Sequence, residues 1–158
     1  MSTTTAVETT SRLDLGQQFP AGAKAMGALE RTVRESSIDG RLLHLVKLRA
    51  SMLNGCAYCI DMHWKDARLA GEEEQRLYGL WTWAEVPYYT ERERAAFALT
   101  DAITRVAETH VPDDVWAEAR GEFAEPELAE LVVAISTINT WNRIAIATRM
   151  APGSYQPS

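Results

Sequence analysis

The sequence predicts an all-α fold of about six or seven helices. Three observations carry the prediction. No segment alternates apolar and polar residues as a half-buried strand does. Helix caps, glycines and prolines punctuate the chain at helix-like intervals. The last segment carries Leu131, Val132, Val133, Ile135, Ile138, Ile144 and Ile146 around much of one helical circumference.

Taken in order, residues 1–19 are rich in Ser and Thr without helical period. They predict a flexible or extended N-terminal arm. A first helix is expected over 21–34. Ser37 offers an N-cap for a second, whose apolar face is Leu42, Leu43, Leu45, Val46, Leu48, Met52 and Leu53. Asn54-Gly55 ends it, because glycine takes the left-handed C′ conformation at little cost. A third helix opens at Cys56 and stops at Gly71. A fourth covers 73–83, before Pro87. Thr90-Glu91-Arg92-Glu93 has the spacing of a capping box and starts a fifth, to about 106. Pro112-Asp113-Asp114 opens a sixth, ending near Phe123. Pro126 sits in the first turn of the last, where its missing N–H does no harm, and Pro152-Gly153 follows its end at about 149. The expected organisation is an arm (1–19), one domain (20–150) and a fraying tail (151–158). A last helix apolar on most sides is buried in the core or between subunits, and with five tryptophans it favours a homo-oligomer.

Composition narrows the function. The 158 residues suffice for one domain with a core. Sixteen basic against twenty-two acidic side chains give a net charge of −6, which argues against nucleic acid or an anionic membrane as partner. No apolar run is long enough to span a bilayer. The first residues, Met1-Ser2-Thr3-Thr4-Thr5, lack a basic and an apolar region of secretory type, so the expected compartment is the cytoplasm. In that compartment a lone cysteine pair is catalytic or metal-binding more often than a structural disulfide.

The chemistry gathers at the third helix. The only two cysteines stand three apart in Cys56-Ala57-Tyr58-Cys59, with His63 four residues on. Positions i, i+3 and i+7 share one helical stripe, so both sulfurs and the imidazole face one way. The cysteines occupy the first turn, where free N–H groups and the helix dipole favour a thiolate. His63 is placed to take the proton of Cys59. A peroxide would oxidise one sulfur to a sulfenic acid, the other would condense with it, and thiol exchange would reopen the disulfide. Two other readings stand beside this one: inert buried cysteines, and a zinc site using Cys56, Cys59 and His63. A thioredoxin fold needs a strand before the motif, and a helix precedes it here. Tyr58 points off the stripe, towards a possible subunit contact. Arg49, Ser51 and Asn54 read as structural. Asn139, Trp141, Asn142 and Arg143 read first as a network locking the last helix and second as a pocket wall.

The run from Leu42 to Ser51, the NGCxYCxxxH segment from Asn54 to His63, and Lys65-Asp66-Ala67-Arg68 with Gly71 resemble the AhpD-like alkylhydroperoxidase branch of the carboxymuconolactone decarboxylase family. The resemblance continues at Glu91-Arg92-Glu93-Arg94-Ala95 and at 138–143. It implies an AhpD-like helical bundle assembling as trimers or hexamers. It further implies a thiol-dependent hydroperoxide reductase that needs no metal or other cofactor. The substrate would be a hydroperoxide, and the reductant a lipoyl-bearing or thioredoxin-like partner. Cys56 and Cys59 would be the redox pair and His63 the proton carrier, with Cys59 meeting the peroxide and Cys56 resolving; the helix start favours Cys56 instead, as the more exposed sulfur. One position departs from the pattern. His44 stands where the family commonly has a glutamate ending the proton relay. Histidine can relay protons but cannot hold His63 as a carboxylate would, and it adds a fourth candidate zinc ligand. A disulfide exchanger, or a zinc- or small-ligand-binding protein of this fold, is therefore the alternative.

Overall fold

The computed structural model describes residues 10–157. The described residues form nine α-helices and one 3-10 turn, with no strand. The seven longer helices are α2 (Pro20–Arg34), α3 (Gly40–Asn54), α4 (Ala57–Leu69), α5 (Glu74–Gly79), α6 (Glu91–Thr104), α8 (Asp113–Glu122) and α9 (Glu125–Thr148). Two four-residue helices, α1 (Leu15–Gln18) and α7 (Val106–Thr109), bring the total above the expected six or seven.

Local chemistry explains most boundaries. Gly55 closes α3 at φ 67°, a conformation that favours glycine. Thr90 and Glu93 complete their capping box at the start of α6. Ser37 is not the cap of α3. That role falls to Asp39, whose Oδ1 accepts from the N–H groups of Arg41 and Leu42 at 3.0 and 3.1 Å. Ser37 instead donates through its N–H and hydroxyl to Glu130 on α9. The expected fourth helix divides into α5 and a 3-10 turn, Leu80–Thr82.

The core is continuous around α3, α6 and α9. Leu45, Val46 and Leu48 of α3, Phe97 and Leu99 of α6, and Leu131 and Ile135 of α9 are all fully buried. Val133 and Ile146 of α9 stay exposed, so its apolar circumference is only partly used within the chain.

The first and last described segments are held by contacts that the sequence pattern does not announce. Residues 1–9 of the expected arm lie outside the described residues. Residues 10–19 include α1, which the lack of period had not predicted; the Asp14 side chain caps it by accepting from Gln17 N–H at 3.0 Å. Arg12 N–H donates to Thr148 O at 2.8 Å, laying this segment against the end of α9. The tail does not fray after Gly153. Gly153 N–H donates to Asp61 Oδ2 (3.1 Å), Lys65 Nζ donates to Tyr155 O (3.0 Å), and the Tyr155 hydroxyl donates to Asp66 Oδ1 (2.7 Å). Lys65 Nζ also donates to Gly153 O (3.4 Å), so four hydrogen bonds strap residues 153–155 onto α4.

Candidate active site

Cys56 is the N-cap of α4. Its Sγ accepts from Cys59 N–H at 3.4 Å. Both cysteines are free and almost fully buried, at 1% and 2% exposure. Cys56 is therefore not the more exposed sulfur that its place at the helix start suggested. Cys59 lines a cavity of about 320 Å³, and His63, one turn further along α4, lines the same cavity.

The two thiols divide the proton unequally. A hydrogen bond from the Cys59 thiol, and then backbone N–H groups of the first turn and the nearby Asn142 amide, bring the Cys56 thiol down to about 7 against the opposing effect of burial. Donating that hydrogen bond, together with burial and the charge on Cys56, pushes the Cys59 thiol far up. When the pair loses a proton, the negative charge is favoured on Cys56, with Cys59 as the thiol that donates to it.

The rest of the cavity surrounds these groups. His44 and Lys47 enter from α3, Glu30 and Arg34 from α2, Met62 and Asp66 from α4, and Ile138, Trp141 and Ala145 from α9. Tyr58, Met150 and Tyr155 complete the wall. Tyr58, expected at a subunit contact, lies in this wall. Most of the lining is apolar, with the ionisable groups clustered near α3. Lys47 is buried and forms an ion pair with Glu30.

The replacement of the usual glutamate by His44 can now be placed. Burial lowers the pKa of His44, and burial followed by the nearby Lys47 and His44 lowers that of His63 well below 6.5. Both shifts favour the neutral imidazoles, so two like charges are not gathered in the cavity. A carboxylate is present nevertheless: Asp66 Oδ2 lies 3.9 Å from His63 Nδ1, too far for a hydrogen bond. The four-ligand zinc set of Cys56, Cys59, His63 and His44 is not what the fold gathers. Among the described residues His44, His63 and Asp66 form the cluster of metal-capable donors.

The polar residues of α9 divide. Asn54 Nδ2 donates to Asn139 Oδ1 (2.9 Å) and Asn142 Oδ1 (2.8 Å), and Asn142 Nδ2 donates to Ser51 Oγ (3.0 Å). Arg143 donates to Asn139 O and Oδ1. The Asn54 and Asn142 bonds lock α9 to α3, as the sequence suggested, while those of Arg143 stay within α9 and Trp141 belongs to the cavity. Asn142 also favours the thiolate forms of both cysteines, a contact that its spacing did not reveal. Asn142→Ala is therefore expected to cost about 1–3 kcal/mol, because buried partners are left unsatisfied. It should also raise the Cys56 pKa, which thermal unfolding and thiolate absorbance measure separately.

Sequence reasoning missed Asp66, Lys47, Glu30 and Tyr155 as members of the site. Asp66 and Lys47 had a readable signal, since each stands three residues after a candidate histidine on the same helix. Glu30 and Tyr155 arrive through tertiary packing and had none.

The chain belongs to the carboxymuconolactone decarboxylase family, whose pattern matches residues 20–102, and is an AhpD-like member of it. It is 44% identical over 128 residues to the uncharacterized protein YdfG of Bacillus subtilis (strain 168), covering 81% of this chain and 87% of that one. The crystal structure of ATU0492 from Agrobacterium tumefaciens superposes with a TM-score of 0.90 at 43% identity, over 92% of this chain and all of that one. ATU0492 is a protein of unknown function described as a candidate antioxidant defence protein AhpD. The debrominase Bmp8 superposes with a TM-score of 0.79 at 21% identity, over 87% of this chain and 74% of that one, a likeness of fold alone. No helix among the described residues is long and apolar enough to cross a membrane.

Proposed function

We propose that this protein is a thiol-dependent hydroperoxide reductase working through Cys56 and Cys59. The observation that carries the reading is the buried pair itself: one sulfur capping a helix start, one opening on a largely apolar cavity, and His63 on the same wall. In the cycle, Cys59 Sγ attacks the distal oxygen of ROOH as its proton transfers to the Cys56 sulfur that accepts it, and His63 on the cavity wall relays that proton to the leaving oxygen. The O–O bond breaks, Cys59 becomes a sulfenic acid, and the alkoxide takes up a proton to leave as ROH. The Cys56 thiolate then attacks the Cys59 sulfur, forming the disulfide and expelling hydroxide, which becomes water. Two electrons and two protons from a dithiol reductant restore the pair.

The apolar wall of Tyr58, Met62, Ile138, Trp141 and Met150 suits an organic hydroperoxide better than hydrogen peroxide. The near-complete burial of both sulfurs favours a slender dithiol on a flexible arm, such as a lipoyl group, over a bulky thioredoxin-like protein as reductant. Exposed Phe19, Tyr78, Trp81, Val133 and Ile146 support a homo-oligomer, and light scattering on the purified protein tests this.

The reading predicts a pH dependence. The Cys56 thiol sits at about 7, below its usual value, so thiolate accumulates as pH rises through 7. One thiolate per chain should appear in the ultraviolet titration near pH 7 and be absent from Cys56→Ser. A wild-type titration with no thiolate below pH 8 would contradict the assignment.

A further inference from the structure

We propose that His44, His63 and Asp66 form a binding site for one divalent cation of the zinc type, distinct from the two thiols. The three residues each bring a donor atom within 4.8 Å of the others. The Nδ1 atoms of both imidazoles are buried and have no hydrogen-bond partner, although His63 is only 5% exposed. Buried polar atoms are normally satisfied, and His63 Nδ1 lies 3.9 Å from Asp66 Oδ2. Asp66 is already oriented: the Tyr155 hydroxyl holds Oδ1 at 2.7 Å, while Oδ2 lies on the side of His63. Metal-ligating carboxylates usually have such an outer hydrogen bond.

Two imidazoles and one carboxylate suit zinc rather than calcium or magnesium, which prefer oxygen. Bonds of about 2.0–2.2 Å set tetrahedral ligands roughly 3.3 Å apart, so the donors would draw together by about 1 Å or less on the side nearest His63 and somewhat more across the cluster. The nearby Lys47 ammonium is compensated by its ion pair with Glu30. All three donors line the cavity, so the fourth position is open to it. A bound ion takes the lone pair of His63 needed by the thiol cycle, and zinc should then inhibit peroxide turnover. That consequence rests on the proposed function; the binding does not.

The experiment is calorimetric titration of reduced protein with zinc chloride in a non-chelating buffer. It is run on the wild type and on a Cys56→Ser/Cys59→Ser protein, and on His44→Gln and Asp66→Asn made in that cysteine-free background. One zinc per chain is expected in the first two, with affinity weakened by about tenfold or more in the last two. Zinc binding lost with the cysteines, or unchanged by His44→Gln and Asp66→Asn, would overturn the proposal. Because a substituted histidine can disturb folding, the cobalt spectrum of the wild type decides independently. Ligand-field bands without sulfur-to-cobalt charge transfer are expected, and a charge-transfer band would assign the metal to the thiols instead.

Discussion

Cys59→Ser is expected to remove hydroperoxide turnover altogether, a loss of more than about a thousandfold in kcat/KM. Serine nearly reproduces the shape of cysteine, so the fold should survive. A hydroxyl, however, cannot accept an oxygen atom to form a sulfenic acid. The remaining Cys56 is buried behind the cavity rather than in its wall. It would keep its place at the helix start but lose the thiol that donates to it. Cys56→Ser should behave differently. Cys59 can still be oxidised once, and a sulfenic-acid trap should label it, but no disulfide can form and catalytic cycling should stop. Mass spectrometry of trapped protein distinguishes the two variants. Full peroxidase activity in Cys59→Ser would remove Cys59 from the reaction.

Arg49→Ala is expected to be the most destabilising of the substitutions considered, at about 3–5 kcal/mol, because it removes one partner from a buried ion pair. Arg49 is 6% exposed and sits inside the core. Its Nε and Nη2 grip the two carboxylate oxygens of Asp101 on α6, both at 2.7 Å, and its Nη1 donates to Trp81 O at 2.9 Å. One side chain of α3 thus fixes α6 and the 3-10 turn. At 158 residues the loss corresponds to a Tm lower by roughly 10 °C. Arg49→Lys should recover only part of it, since an ammonium cannot make the paired bond to a carboxylate. Thermal unfolding followed by circular dichroism measures both. A change below about 1 kcal/mol in Arg49→Ala would show that Asp101 and the carbonyls find other partners.

Much of this architecture was legible in the sequence, because helix signals are local. Gly55 needs its left-handed conformation whatever packs around it, and Thr90 and Glu93 satisfy each other within one turn. The stripe of Cys56, Cys59 and His63 follows from helical spacing alone. What failed was competition between local options: Ser37 and Asp39 both offered caps, and Asp39 accepts two N–H groups while Ser37 is drawn to Glu130. The first and last described segments were not legible for a different reason. Their order comes from contacts with α9 and α4 that lie more than eighty residues away in sequence. Packing between helices, which no local spacing reports, likewise hid Glu30 and Tyr155 from the site. His44 was visible as a substitution, but its neutrality depends on burial, which no spacing reports.

The most direct test of the central claim is consumption of cumene hydroperoxide by metal-free protein with dihydrolipoamide as reductant, with thiols counted before and after a single turnover. Catalytic consumption is expected, with the loss of two thiols per chain, restored by the reductant. Thiols that stay reduced in the presence of excess hydroperoxide would contradict it.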